Sequence, residues 1–128
     1  ARKVWSGEPV DVSMGWFNII WQGDANAQTI QSLDHAASPA WHINVTGAER
    51  LSIRETAQKF GELMNKEPQL TGAEVETALL SNSSESRRQF DPPRVSIDQM
   101  MNWIADWTVR GGANLGKPTH FEARDGKY

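Results

Sequence analysis

The final residues of the chain, 117–128, concentrate side chains that can do chemistry. This segment includes lysine, histidine, glutamate, arginine and aspartate, together with one phenylalanine and one tyrosine. Such groups can bind an anion or exchange a proton. Chain ends usually fray unless something holds them, so a tail of this composition is expected to lie against another surface. We expect that surface to belong to a part of the protein outside this chain, with residues 116–128 forming an extended tail.

Two other patterns resemble ligand sites. Residues 111–117 have the glycine and lysine spacing of a phosphate-binding loop. However, Pro118 stands where the magnesium-binding serine or threonine is needed, and a helix rather than a strand precedes the loop, so we interpret this segment as a helix stop. The three histidines, His35, His42 and His120, are not spaced as metal ligands, so no metal site is predicted.

The six tryptophans of the chain could form a stacking platform for a sugar or a base. Trp21 and Trp41 fall in phase with predicted strand faces, and Trp107 falls on the apolar stripe of a predicted helix. Large aromatic side chains in such positions usually pack in a core. We therefore predict core packing for these three tryptophans, with the platform as the alternative.

Composition limits the class of protein. The chain has 128 residues, a net charge of -3 and no cysteine. This length suits a single domain, which we place over residues 1–128. No run of basic residues is longer than two, as at Arg87-Arg88, so no nucleic-acid partner is expected. No stretch approaches the roughly 20 apolar residues of a membrane span, and the lack of cysteine fits a soluble, cytoplasmic protein.

The elements that must position these groups follow from periodicity and capping. Val10, Val12 and Met14 alternate with polar residues, and Phe17, Ile19 and Trp21 alternate with Asn18 and Ile20. These patterns predict two strands joined near Gly15, and residues 41–45 predict a third. Asp24 is expected to cap a helix. Capping boxes predict four more helices, of which the first and last carry long apolar stripes; the boxes begin at Ser52, Thr71, Asn82 and Ser96.

Together these elements predict an α+β domain. A small mixed sheet of about three strands is expected to be covered by the three helices that begin at Asp24, Ser52 and Ser96. The chain opens at Ala1 with neither an initiator methionine nor a signal-peptide pattern. We therefore interpret it as a cut or processed piece of a longer protein.

Several segments also resemble the C-terminal part of the NAD(P)-dependent epimerase/dehydratase family, the extended short-chain dehydrogenases. The resemblance covers nearly the whole chain from about Ser6. It is carried by Trp-Gln-Gly-Asp-Ala-Asn-Ala at 21–27, Ile-Asn-Val-Thr-Gly at 43–47, Leu-Ser-Ile-Arg-Glu at 51–55, Thr-Ala-Leu-Leu-Ser-Asn at 77–82, Gly-Lys-Pro-Thr-His-Phe-Glu at 116–122 and Arg-Asp-Gly-Lys at 124–127.

The resemblance implies the C-terminal lobe of a Rossmann-type enzyme without its Rossmann domain. In the family a glycine-rich turn holds NAD or NADP and a Tyr-x-x-x-Lys pair transfers protons. The chain has no such turn and its only tyrosine is Tyr128, so no catalytic or cofactor-binding residue is assigned. The implied partners are a Rossmann domain of the same polypeptide and a small, sugar-like substrate.

Polar residues at strand ends, in loops and in the tail are the candidates for contact with that substrate. They are Gln22, Asn26, Asn44, Arg94, Thr119, His120 and Arg124.

Two other functions stay open. The chain could be a free-standing module that binds a small ligand or peptide, or a dimerisation domain built on the long helix after Ser96. If the chain is a severed lobe, an apolar face around residues 5–21 and Phe121 is expected to be exposed and to cause self-association.

Overall fold

The computed structural model describes residues 1–76, 78 and 80–117. In chain order the elements are α1 (Arg2–Ser6), β1 (Val10–Asp11), β2 (Trp16–Phe17), α2 (Gln22–Gln31), a 3₁₀ turn (Ser32–His35), β3 (Leu51–Ser52), α3 (Ile53–Met64), β4 (Leu70–Thr71), α4 (Ser84–Gln89) and α5 (Ile97–Val109). The α+β class expected from the sequence is confirmed. The short helix α1 was not anticipated.

The two long capped helices form the centre of the fold, as predicted. The Ser52 hydroxyl accepts from the Glu55 amide at the start of α3, and the Ser96 hydroxyl accepts from the Gln99 amide at the start of α5. Helices α1, α3 and α5 enclose one apolar cluster, composed of Val4, Ala57, Phe60, Met64, Met101 and Ala105. Burying each of the larger side chains contributes about 1.5–3 kcal/mol, so this helix packing is the main stabilising feature.

The strands form two separate pairs rather than one sheet. Strand β1 lies parallel to β4, and β2 lies antiparallel to β3. The expected hairpin around Gly15 does not form, although a turn does. The Gly15 amide donates to the carbonyl of Val12 at 2.9 Å, and Gly15 has φ 71°. The chain therefore turns within residues 12–15, but the strands on either side of the turn pair with β4 and β3 rather than with each other.

Three further expectations differ from the structure. Residues 41–45 form no strand, and the nearest backbone–backbone hydrogen bond of the described chain joins the Gly47 amide to the carbonyl of Ile19. Residues 72–76 form no helix after the box at Thr71, since Gly72 takes φ 76° and Glu74 pairs with Arg54. Helix α2 begins at Gln22, so Asp24 lies in its first turn and is not its N-cap.

Most tryptophans lie at the surface. The exposed fraction is 36% for Trp5, 37% for Trp21 and Trp41, 43% for Trp103 and 59% for Trp107. Core packing of Trp21, Trp41 and Trp107 was therefore a wrong prediction. On α5 the buried stripe instead uses Met100, Met101, Ala105 and Thr108.

Across the part of the chain that the structure describes, no helix is long and apolar enough to cross a bilayer.

Candidate functional site

A cleft of about 300 Å³ lies where three distant segments of the chain meet. Residues 19–21 form one wall, residues 47–49 form the second and residues 93–97 form the third. Arg87 from α4 and Met100 from α5 complete the lining. We name it the Arg94 cleft, because Arg94 is the predicted site residue that lies in it.

The first two walls are fixed to each other by the Asn18 side chain and by one backbone hydrogen bond. The Asn18 amide nitrogen donates to the carbonyl of Gly47 at 3.1 Å and to the carbonyl of Ser81 at 2.8 Å. The Asn18 side-chain oxygen also accepts from the Ser81 amide at 3.1 Å. The Gly47 amide in turn donates to the carbonyl of Ile19 at 3.1 Å. These bonds place residues 19–21 beside residues 47–49 without a regular strand pair.

The third wall is held by helix α2. The carboxylate of Asp24, which is nine-tenths buried, accepts from the Val95 amide at 3.1 Å. Val95 is followed by Ser96, the N-cap of α5, so this bond also fixes the start of that helix against the cleft. The sequence predicted that Asp24 caps its own helix, whereas its carboxylate accepts from the Val95 amide 71 residues away.

The lining combines an apolar wall with cationic groups. Ile19, Ile20 and Trp21 supply apolar surface, and the Trp21 ring packs edge-on against Trp103 at 5.3 Å between centroids. Arg87 and Arg94 supply two guanidinium groups, and neither forms an ion pair with a residue that the structure describes.

The amino end of α5 adds partial positive charge to the same cleft. Glu49 supplies the one carboxylate of the described lining. An apolar wall beside two guanidinium groups suits a flat or ring-shaped ligand that carries an anionic group.

Ion pairing explains why Arg87 differs from its neighbour. On α4 the Glu85 carboxylate accepts from Arg88 and from Gln89, and these bonds lower the pKa of Glu85. Arg88 is therefore neutralised within its own helix, while Arg87 lies on the cleft. The two adjacent arginines thus form a natural comparison.

Larger depressions lie elsewhere on the described surface. One of about 610 Å³ covers the end of α3 around Asn65 and Lys66, and one of about 420 Å³ lies between α1 and the end of α5. A third, of about 390 Å³, lies between the starts of α3 and α5. None of the predicted site residues that the structure describes lines these three, so volume alone does not identify the site.

The structure brings together few of the predicted site residues. Arg94 lines the cleft. Gln22 and Asn26 are exposed on α2, outside the lining of the cleft, and the Asn44 side-chain nitrogen donates to the carbonyl of Asn82 at 3.3 Å. The other three, Thr119, His120 and Arg124, lie outside the described residues. Their part in a site stays a prediction.

Sequence reasoning missed Arg87 and Glu49 as cleft residues. Arg87 was noted only as part of a basic pair, and Glu49 lies in a loop without a motif. Trp21 was assigned to a core, although its place directly before α2 puts its side chain at the surface. No local pattern marks these residues, since they meet only through tertiary contacts.

Solved enzymes share this fold. UDP-glucuronic acid 4-epimerase from Bacillus cereus, in complex with NAD, is 12% identical and aligns with 97% of this chain at a TM-score of 0.65. UDP-glucose 4-epimerase from Thermus thermophilus is 20% identical over 88% of the chain, with a TM-score of 0.66. GDP-mannoheptose C4 reductase from Campylobacter jejuni is 14% identical over 77%, with a TM-score of 0.59.

The chain spans 38%, 39% and 31% of the length of these three enzymes. No protein-family model matches it, and no curated protein matches its sequence. At these identities the comparison shows the fold. The fold implied by the resemblance to NAD(P)-dependent epimerases and related reductases is therefore confirmed.

Proposed function

We propose that this chain is the substrate-recognition lobe of a cytoplasmic NAD(P)-dependent epimerase, dehydratase or related oxidoreductase. The observation that carries the proposal is the Arg94 cleft, formed on the fold of part of such enzymes. The substrate is a small molecule with a ring and an anionic group, as in a nucleotide sugar. The lobe binds and orients it and lacks activity by itself.

Each part of the cleft has a proposed role in binding. Arg94 and Arg87 bind the anionic group through charge-assisted hydrogen bonds. Trp21 and the isoleucines beside it contact the apolar face of the ring. Asn44, Gln22 and Asn26 lie on neighbouring segments and add polar contacts to the substrate, as do Thr119, His120 and Arg124 of the tail.

The described residues do not fit the nicotinamide cofactor. A dinucleotide is held where a glycine-rich turn joins a parallel strand to a helix. The parallel pair of the described chain joins strands of two residues, and β4 runs into the turn at Gly72 rather than into a helix. We therefore assign NAD or NADP to a Rossmann domain of the same polypeptide and draw no step of the chemistry through this lobe.

Amide chemical shifts test the binding role directly. The ¹⁵N-labelled chain is titrated with UDP-glucuronate up to millimolar concentration, and in a separate experiment with NAD⁺. We expect UDP-glucuronate to shift amides of residues 19–21, 47–49 and 94–97 together, with weak affinity because the lobe supplies only part of the contacts. NAD⁺ is expected to shift none of them.

A matched pair of variants provides the control. Arg94→Met should weaken UDP-glucuronate binding by about fivefold, since an exposed charge interaction at short range is worth about 1 kcal/mol. Arg88→Met removes the same charge from a helix whose Glu85 already neutralises it, and should leave the affinity unchanged. Shifts centred on another depression, or equal losses in both variants, would reject the proposal. Saturable binding of NAD⁺ at micromolar concentration would favour a self-sufficient binding module.

A further inference from the structure

Helix α2 carries a polar stripe that faces the third wall of the cleft. Asp24, Gln28 and Gln31 are spaced by four and three residues, so their side chains lie on one face of the helix. All three bond to the segment 91–95, which is about 60 to 70 residues further along the chain. The stripe therefore connects one helix with one wall.

The stripe holds the segment at both ends. At one end the side-chain nitrogen of Gln28 donates to the backbone carbonyl of Asp91 at 2.9 Å. Gln31 bonds Asp91 twice, accepting from its amide and donating to its carboxylate, each at 3.1 Å. At the other end the Asp24 carboxylate accepts from the Val95 amide at 3.1 Å.

Arg94 lies between the two held ends. Pro92 and Pro93 precede it, and their rings fix the backbone φ angle at two consecutive positions. With two prolines and four hydrogen bonds, few backbone conformations remain for the segment. The placement of the Arg94 guanidinium thus depends on helix α2, although no side chain of α2 bonds to it.

Gln28 shows that the stripe is not optimised for stability. Its side chain is 2% exposed, yet its amide oxygen has no hydrogen-bond partner among the described residues. A buried oxygen without a partner destabilises the folded state. An apolar side chain of the same shape would remove the unpartnered oxygen and its energetic cost. It would also remove the hydrogen bond to Asp91, but Asp91 is exposed and can bond to water instead.

We propose that Asp24, Gln28 and Gln31 are positioning residues that hold segment 91–95 so that Arg94 faces the ligand in the cleft. The ligand part of this inference rests on the proposed function above. The positioning itself can be measured without any ligand. A segment that is held in its binding conformation binds with the full intrinsic affinity, whereas a loosened segment binds in proportion to the held fraction.

The variant Gln28→Met separates positioning from stability. We expect its urea midpoint to match that of the wild-type chain, because the lost bond and the removed unpartnered oxygen offset each other. We expect amide hydrogen exchange at Asp91 and Val95 to become about fivefold faster, the factor that corresponds to the net effect of one hydrogen bond. UDP-glucuronate affinity should fall by up to the same factor.

The control variant is Thr29→Val on the same helix. The Thr29 hydroxyl donates to the carbonyl of Ala25 within α2, so its hydrogen bond does not involve segment 91–95. This variant should leave both amide exchange and affinity unchanged.

The outcomes separate the two proposals. Faster exchange at Asp91 and Val95 in Gln28→Met supports the positioning role even if UDP-glucuronate fails to bind the wild-type chain, a failure that counts against the proposed function alone. Unchanged exchange at both amides overturns the positioning role. So does a large loss of the urea midpoint with unchanged affinity, since that result describes an ordinary structural residue.

Discussion

Replacing Asp24 tests the contact that joins helix α2 to the start of α5. Asp24 is 9% exposed, and its carboxylate accepts from the Val95 amide at 3.1 Å. A hydrogen bond to a charged group contributes about 1.5–3 kcal/mol, and a carboxylate in the first turn of a helix adds about 0.3–1 kcal/mol through the helix dipole. Asp24→Ala removes both terms. We therefore expect it to lower the free energy of unfolding by about 2–4 kcal/mol.

Asp24→Asn is the matched variant, because it keeps an oxygen that can accept from the Val95 amide and loses only the charge. Asp24→Asn is expected to lower the free energy of unfolding by about 1 kcal/mol, the contribution of the charge to the hydrogen bond and to the helix dipole. Urea unfolding followed by tryptophan fluorescence measures both losses, and amide exchange at Val95 shows whether the bond is broken. Equal losses in the two variants, or a loss below about 0.5 kcal/mol in Asp24→Ala, would refute the assignment of this bond.

Three other variants test separate features of the structure. Gly47→Ala should disrupt the cleft and cost about 1–3 kcal/mol, because a Cβ at Gly47 would collide with the carbonyl oxygen of Ile19; unchanged cleft amide shifts would contradict this. The bond from Arg54 lowers the pKa of Glu74, so the pair stabilises the fold above the ordinary glutamate pKa of about 4.3 and loses that effect as the pH falls through the lowered pKa. As the pH is lowered, the urea midpoint of Arg54→Met should therefore fall less steeply than that of the wild-type chain. Parallel curves of urea midpoint against pH would count against this expectation. Trp107→Ser should reduce self-association in sedimentation measurements, because Trp107 is 59% exposed; a wild-type chain that stays monomeric over a hundredfold concentration range would remove the basis for this expectation.

The starts of α3 and α5 were predictable from the sequence because capping is local. Ser52 and Ser96 each bond to an amide three residues ahead, and the apolar stripe of α3 is buried as its spacing requires. The helix predicted from the capping box at Thr71 does not form over residues 72–76. The reason is also local, but the capping pattern does not reveal it. Gly72 takes a positive φ there, and a residue in that conformation cannot continue a right-handed helix.

The strands could not be placed from periodicity. Alternation marks the two faces of an extended segment but does not say which segment pairs with it. Residues 10–11 pair with residues 70–71, about 60 positions away, and residues 41–45 pair with none of the described chain. Periodicity also failed for Trp21 and Trp107, because it assigns a side chain to a face without showing whether anything covers that face.

The cleft was only partly predictable, for the same physical reason. Arg94 was selected as a polar residue in a loop, which is a local signal. Arg87, Glu49 and the buried acceptor role of Asp24 depend on segments brought together by the fold. Their partners lie far along the chain, as with the bond from Asp24 to Val95, which joins residues 71 positions apart.

The bonds that form the cleft have a common chemical type. Asn18, Gln28 and Asp24 each join a side chain to the backbone of a segment 63 to 71 residues away. Backbone groups are present whatever the side chain, so these three bonds do not depend on which side chains the bonded wall residues carry. Gly47 differs, because a Cβ there would collide with the carbonyl oxygen of Ile19. The apolar cluster of α1, α3 and α5 is a separate set of residues. It follows that substitutions at wall positions such as Glu49 and Arg94 should alter ligand preference with little effect on folding, whereas substitutions at Asn18, Asp24 and Gln28 should alter the shape of the cleft itself.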